Sequence, residues 1–299
     1  MDNSLRRGSL EMIAAMLISG TIGWFVLVSG QPVLDVVFWR CVFGAVTLLL
    51  ICAAMGFLKP GVLTRTTFLL AVASGMAIVG NWVLLFASYS KASIAIGTAV
   101  YNVQPFMLVG LAALFLGEKI TLPKMTWLSL AFLGMLAIVS AHGNGQGGAG
   151  EYLLGIVLAL GAAFLYAVAA LIIKRLSGTP PHVIALVQVT TGILLLAPWV
   201  GGEGLPGETP TLASLLTLGV VHTGVMYVLL YSAIQRLPTA LTGALSFIYP
   251  IAAILVDWVA FDHRLAPLQW LGVATILLAA AGMQQGWWFR SARIAVKGQ

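Results

Sequence analysis

The chain has 299 residues, 60% of them hydrophobic and only 8% charged, with a mean hydropathy of +1.02 and a formal net charge of +6. A soluble globular domain carries about a quarter of its residues as charges, so the composition excludes one. It also removes the nucleic-acid reading that a net charge of +6 would otherwise invite. The apolar residues come in long blocks, and a block of about 20 spans the roughly 30 Å hydrocarbon core as a helix. Only helices or closed barrels satisfy every backbone group in lipid. Barrel strands alternate apolar and polar residues; the block from Val42 to Met55 does not. The expected class is therefore an all-α integral membrane protein.

Ten spans are predicted, at 10–29, 33–57, 67–89, 92–116, 124–141, 153–173, 181–200, 212–235, 240–261 and 267–288. The first follows Arg6-Arg7, and no small-residue cleavage site precedes Gln31-Pro32, so it reads as a retained helix rather than a signal peptide. It carries Glu11 near one end and Trp24 further along. The second holds Asp35 at its rim and Arg40 about two turns in. It also holds both cysteines, Cys41 and Cys52, which a helix separates by about 16 Å, too far for a disulfide. The third places Asn81 and Trp82 at mid-depth. In the fourth, Ile94, Gly97, Thr98 and Tyr101 share a face, and Pro105 follows. Between the fifth and sixth spans runs a Gly-rich joint, 143–150, which lacks the Lys-Ser/Thr ending of a phosphate loop. The sixth span contains Tyr166; the eighth, His222, Thr223 and Tyr227 on one face; the ninth, Ser246, Tyr249, Pro250 and Asp257. A basic tail, 290–299, closes the chain.

Lysine and arginine in short loops mark the cytoplasmic side. With the N-terminus cytoplasmic, twelve of the 15 basic residues fall inside, from Arg6 to Lys297. Only Lys91 and Arg264 fall outside, and Arg40 lies within a span. An even number of spans returns the C-terminus to the cytoplasm, as this bias requires.

A joint near the middle of the chain suggests duplication. The stretch 85–108 aligns with 230–253 at a single offset: Phe86 with Tyr231, Lys91 with Arg236, Ala95 with Ala240, Pro105 with Pro250. Pro32, Arg40 and Gly44 align with Pro180, Gln188 and Gly192, and Trp24 falls roughly opposite Tyr166. Five helices are an odd number, so the second repeat enters the membrane inverted. The expected organisation is residues 1–142 as one five-helix repeat, 143–150 as the joint, 151–289 as the second repeat, and 290–299 as a cytoplasmic tail. Inverted repeats suit alternating access around a midplane site.

On these residues the chain resembles the drug/metabolite transporter superfamily, in particular its EamA-type ten-helix members. The resemblance is carried by Arg40, by Tyr-Ser-Lys-Ala-Ser at 89–93 with its counterpart at 231–240, by Pro105 and Pro250, and by Leu116-Gly117-Glu118-Lys119. The second half departs from the pattern, with Phe261-Asp262-His263-Arg264 where Leu-Gly-Glu is usual. Within the superfamily the chain looks most similar to bacterial amino-acid exporters. That implies a bacterial inner (plasma) membrane location and export of aromatic and other neutral amino acids.

The residues themselves point to a mostly uncharged site. Pro105 and Pro250 are expected to bend equivalent helices around it. Trp24, Asn81, Trp82, Tyr101, Tyr166, His222, Tyr227, Ser246 and Tyr249 are the candidate substrate-binding residues, a mixture of aromatic and polar groups that suits a small amphiphilic ligand. The charges within the membrane are Arg40 and Asp257. Arg40 either binds a substrate carboxylate or pairs with Asp35 or Asp257. One cation disfavours sugar phosphates, and the lack of a deep carboxylate disfavours multivalent cationic drugs. A neutral or zwitterionic small molecule fits best. The alternative is a proton-coupled multidrug or dye efflux pump of the same fold, with His222 as the titrating group. No metal-ligand or nucleophile–base spacing stands out, so neither an enzyme nor a cofactor is expected. The expected surroundings are the lipid bilayer, a small-molecule substrate and no nucleic acid, with the protein acting as a monomer.

Overall fold

The computed structural model describes residues 3–59, 61–116, 122–140, 148–176, 178–200, 204–237, 245, 248–285 and 287. Among them every regular element is a helix, as a backbone without access to water demands. In chain order these are α1 (Asn3–Gly20), α2 (Ile22–Val28), α3 (Val33–Ala54), α4 (Arg65–Ala92), α5 (Ile94–Tyr101), α6 (Gln104–Leu116), α7 (Leu122–Ser140) and α8 (Ala149–Lys174). There follow α9 (Pro181–Leu196), α10 (Thr209–Gly219), a π-helical segment (Val220–Val225), α11 (Met226–Arg236), α12 (Ile248–Phe261) and α13 (Pro267–Gln285). Among the described residues, six continuous or broken helices are long and apolar enough to cross a membrane: Ser4–Val28, Val33–Ala54, Arg65–Ala92, Ile94–Phe115, Ala149–Ile173 and Thr209–Leu230. Shorter apolar helices at Met125–Ile138, Pro181–Leu196, Ile248–Phe261 and Pro267–Ala279 stand where the fifth, seventh, ninth and tenth spans are expected. Most of the Gly-rich joint and the C-terminal tail lie outside the described residues.

Three spans read as single helices in the sequence are broken. The first breaks at Thr21, between α1 and α2. The fourth breaks at Asn102-Val103, between α5 and α6, so Pro105 is the second residue of a new helix rather than a mid-helix kink. Proline is tolerated there because a first-turn N–H has no intrahelical acceptor. Pro250 lies in the first described turn of α12, and residues 246–247 before it lie outside the described residues. The eighth span contains the π segment, which no sequence pattern announced.

α4 reverses into α5 without a loop. Ser93 makes the turn at φ +77°, a left-handed conformation rare outside glycine, and its Oγ accepts the N–H of Ile96. The resulting α5 is buried on all sides. Around it α4 packs along α8, α1 along α11, α3 along α9, α7 along α13 and α5 along α12.

Small residues let these backbones approach closely, which is how helices gain contact where the surroundings are as apolar as the side chains. α3 meets the end of α10 and the π segment so tightly that a Cβ on Gly219 would lie 2.2 Å from the Phe43 Cβ, and one on Gly224 would lie 2.3 Å from the Thr47 Cγ2. Ion pairs join helix ends. Arg236 at the end of α11 binds Glu11 of α1 at 2.6 Å, and Lys91 at the end of α4 binds Glu151 at the start of α8 at 2.6 Å.

Replacing Gly219 with Ala should destabilise the folded protein by about 1–3 kcal/mol, the usual penalty for overpacking. Gly110→Ala, where the added methyl meets nothing within 4 Å, should leave the unfolding temperature unchanged or slightly raised. Thermal unfolding in detergent reads both.

Candidate functional site

Helical spacing on α4 sets one wall. Trp82, Phe86 and Tyr89 recur at the intervals that share a helix face, and each is almost fully buried. Against that wall lies Arg40 of α3, 1% exposed, with its guanidinium carbon 4.2 Å from the centre of the Trp82 ring and 5.6 Å from that of Phe86. Cation–π contact of this kind stabilises a desolvated cation. Arg40 Nε–H donates to Thr223 Oγ1 at 3.0 Å, and the Thr223 hydroxyl donates on to the carbonyl of Leu218 at 3.0 Å. That carbonyl lies five residues back, and the π segment brings it there. Single π turns recur at functional sites. Arg40 Nη1 is buried and has no hydrogen-bond partner among the described residues.

Tyrosines complete the surroundings. The phenol groups of Tyr227, Tyr89 and Tyr249 lie within electrostatic reach of the guanidinium. Tyr101 meets Tyr166 edge to face, with ring centroids 5.9 Å apart and planes at 75°, and Tyr101 neighbours Tyr249 and Tyr89. Five of the chain's seven tyrosines thus converge from α4, α5, α8, α11 and α12. All five lie deep in the molecule. Yet Tyr166 is 38% exposed, and Tyr227 and Tyr249 are partly so. A side chain both deep and accessible lines an internal chamber rather than the outer surface. Thr98 Oγ1 is likewise buried and lies within hydrogen-bonding reach of the Tyr89 and Tyr249 phenols.

Other residues expected at the site serve its walls. Asn81 Nδ2 donates to the carbonyl of Ala162 at 2.8 Å and holds α4 to α8. His222 has both ring nitrogens engaged: Nδ1 lies 3.1 Å from the carbonyl of Thr217, and Nε2 lies 2.9 Å from Thr21 Oγ1. Because Nδ1 faces an acceptor, it carries the proton. The histidine therefore ties the π segment to the break in the first span. Trp24 packs edge-on against Phe25, and Phe25 against His222; no described ring contact brings Trp24 to the tyrosines. Ser246 lies outside the described residues.

Of the alternatives open for Arg40, a pair with Asp257 is not what the structure forms. Asp257 is fully buried, but its Oδ2 accepts the N–H of Ala95 at 2.9 Å and its Oδ1 lies 2.9 Å from His263 Nδ1. The first N–H groups of a helix lack intrahelical partners and attract anions. With α5 starting at Ile94, the carboxylate is taken by that helix end. The ion pairs among the described residues do not include Arg40. Two contributors escaped sequence reasoning, Phe86 and Tyr89. The four-residue and seven-residue spacing from Trp82 was the available signal.

A deep chamber of aromatic and hydroxyl groups about one cation fits a small organic solute. The EamA-like transporter family matches residues 6–140 and, separately, residues 153–284. The chain belongs to that family. It is thus a multi-span membrane protein of a small-molecule transporter family, not an enzyme. An uncharacterized transporter, YxxF, of Bacillus subtilis is 28% identical over 274 residues, covering 91% of this chain and 88% of that one. A probable amino-acid metabolite efflux pump of Escherichia coli is 28% identical over 195 residues, 61% of this chain and 64% of that one. A solved crystal structure superposes on 92% of this chain and 95% of its own with a TM-score of 0.63 at 20% identity, a likeness of fold alone.

Thr223→Val keeps the shape but removes the acceptor for Arg40 Nε–H. Leaving that buried donor unsatisfied should cost about 1–3 kcal/mol, read as a lower unfolding temperature. Thr223→Ser, which keeps the hydroxyl, should recover most of it.

Proposed function

We propose that this chain is a secondary transporter that exports neutral amino acids, aromatic and other, and related small metabolites by alternating access. The observation that carries the reading is the convergence of five deep tyrosines and one buried arginine, drawn from both halves of the chain, on one accessible chamber. Trp82, Phe86, Tyr89, Tyr101, Tyr166, Tyr227 and Tyr249 supply apolar and hydroxyl surface. Asn81, His222 and Asp257 fix the helices that carry them.

The architecture in this reading is ten spans in two inverted five-helix repeats, 1–142 and 151–289, with both termini cytoplasmic in a bacterial inner membrane. Two separate family matches on the two halves support it. So does the packing, in which three of the main helix contacts have counterparts. α4 with α8 answers α11 with α1; α4 with α9 answers α10 with α3; α6 with α8 answers α12 with α1. Even the side-chain bond repeats: Gln188 Nε2 donates to Ser74 Oγ at 3.1 Å where Arg40 Nε donates to Thr223 at 3.0 Å. Two like halves of opposite topology can exchange conformations about a central site, which opens it to each side in turn. The Escherichia coli relative's name supports amino-acid metabolites as the cargo.

Purified protein in liposomes should exchange internal unlabelled phenylalanine for external labelled phenylalanine, at a rate unaffected by collapse of a pH gradient. Tyr166→Ala should slow that exchange by about tenfold, the loss expected when one aromatic contact of about 1.4 kcal/mol is removed. Intact protein that moves no amino acid but extrudes a cationic dye until an uncoupler is added would establish the drug-pump reading instead.

A further inference from the structure

Arg40 is costly where it sits. A guanidinium taken out of water pays a large desolvation penalty unless paired and hydrogen-bonded. Here one N–H has Thr223, the ring faces of Trp82 and Phe86 cover the plane, and Nη1 is buried without a partner. The nine acidic residues of the chain can be followed individually. Glu11 is taken by Arg7, Ser232 and Arg236, and Glu151 by Lys91. Asp257 is taken by Ala95 and His263, and Asp262 by Arg264. Asp35 and Glu208 stand at the starts of α3 and α10. Asp2, Glu118 and Glu203 lie outside the described residues, near the first residue, between α6 and α7, and between α9 and α10. Among the described residues no carboxylate faces the tyrosine chamber.

We propose that Arg40 is a receptor for the substrate's carboxylate, and that the chamber takes organic monocarboxylates with an aromatic or branched apolar group whether or not they carry an amino group. This rests on the chamber being the transport site. Guanidinium–carboxylate hydrogen bonds are short and about twice as strong as neutral ones, and Nη1 offers the donor. The buried Thr98 hydroxyl, within hydrogen-bonding reach of the Tyr89 and Tyr249 phenols, offers a second polar contact. The position equivalent to Arg40 in the other half is Gln188, which is neutral and already bonded to Ser74. The chamber therefore has one positive pole, not two, and a dicarboxylate would leave its second charge unmatched. An ammonium group finds phenol oxygens and ring faces but no counter-charge, so removing it costs little.

The test uses the full chain in nanodiscs of zwitterionic lipid. Binding of phenylalanine, phenylalanine amide, 3-phenylpropionate and 3-phenylpropionamide is measured by the ligand-dependent rise in unfolding temperature. The two acids should bind within about threefold of each other. Each amide should bind about 10- to 100-fold more weakly than its acid. Arg40→Gln should abolish that preference, and Arg40→Lys, which keeps the charge, should keep its order. Amides that match their acids overturn the proposal, as does a preference that survives in Arg40→Gln. If Arg40→Gln does not fold, loss of the preference in a folded Arg40→Lys overturns it equally. Phenylalanine binding without 3-phenylpropionate overturns the carboxylate proposal but leaves amino-acid transport standing. The converse result keeps Arg40 as the receptor and removes amino acids as cargo. Failure of all four to bind overturns both.

Discussion

A positive charge buried among helices meant for hydrocarbon is the constraint on which the centre of this protein depends. Arg40 is held on three sides by different means: a hydrogen bond to Thr223, the ring faces of α4, and the fields of surrounding phenols. Each demands something of the fold. Thr223 must reach across to α3, which requires α3 to approach the end of α10 and the π segment to glycine distance at Gly44, Gly219 and Gly224. The π turn admits an extra residue, so the Thr223 hydroxyl can bond both Arg40 and the carbonyl of Leu218 while Tyr227, one turn on, remains beside the guanidinium.

The other charges in the bundle are tied down away from this centre. Asp257 caps the buried start of α5, and Glu11 and Glu151 fasten helix ends to Arg236 and Lys91. Low dielectric makes an unpaired charge expensive, so acids that find a helix terminus or a cation are not free to neutralise Arg40. Among the described residues the chamber is consequently neutral apart from one cation. Its polar groups are hydroxyls, which can donate or accept as a ligand requires.

The two halves are alike in packing and unlike in chemistry. Several helix contacts recur in matched pairs, and Gln188 with Ser74 parallels Arg40 with Thr223. In the alternating-access reading proposed above, the matched contacts would let the halves interchange, and the single arginine would make the two ends of the chamber differ. The α5–α6 break and the α1–α2 break fall on spans that face the centre, where freed backbone groups are tolerated because protein, not lipid, surrounds them.

Hydropathy alone determined that this is a helical membrane protein, where most of its spans fall, and that its halves share a pattern, because apolar length and loop charge are local properties of the chain. The sequence also singled out Arg40, Trp82, Tyr101, Tyr166, Tyr227 and Tyr249, since polar and aromatic residues within apolar blocks are scarce. Only the tertiary structure decided their company. It drew Asp257 to α5 instead of to Arg40, because the start of α5 is created by the Ser93 reversal, a single-residue turn without a sequence signature. It moved His222 from the site to the wall, because an unsignalled break at Thr21 presents a hydroxyl to its ring. It added Phe86 and Tyr89 to the face of Trp82. Which helix face looks inward depends on neighbours far along the chain, and in a sequence apolar on every side no periodicity reveals it.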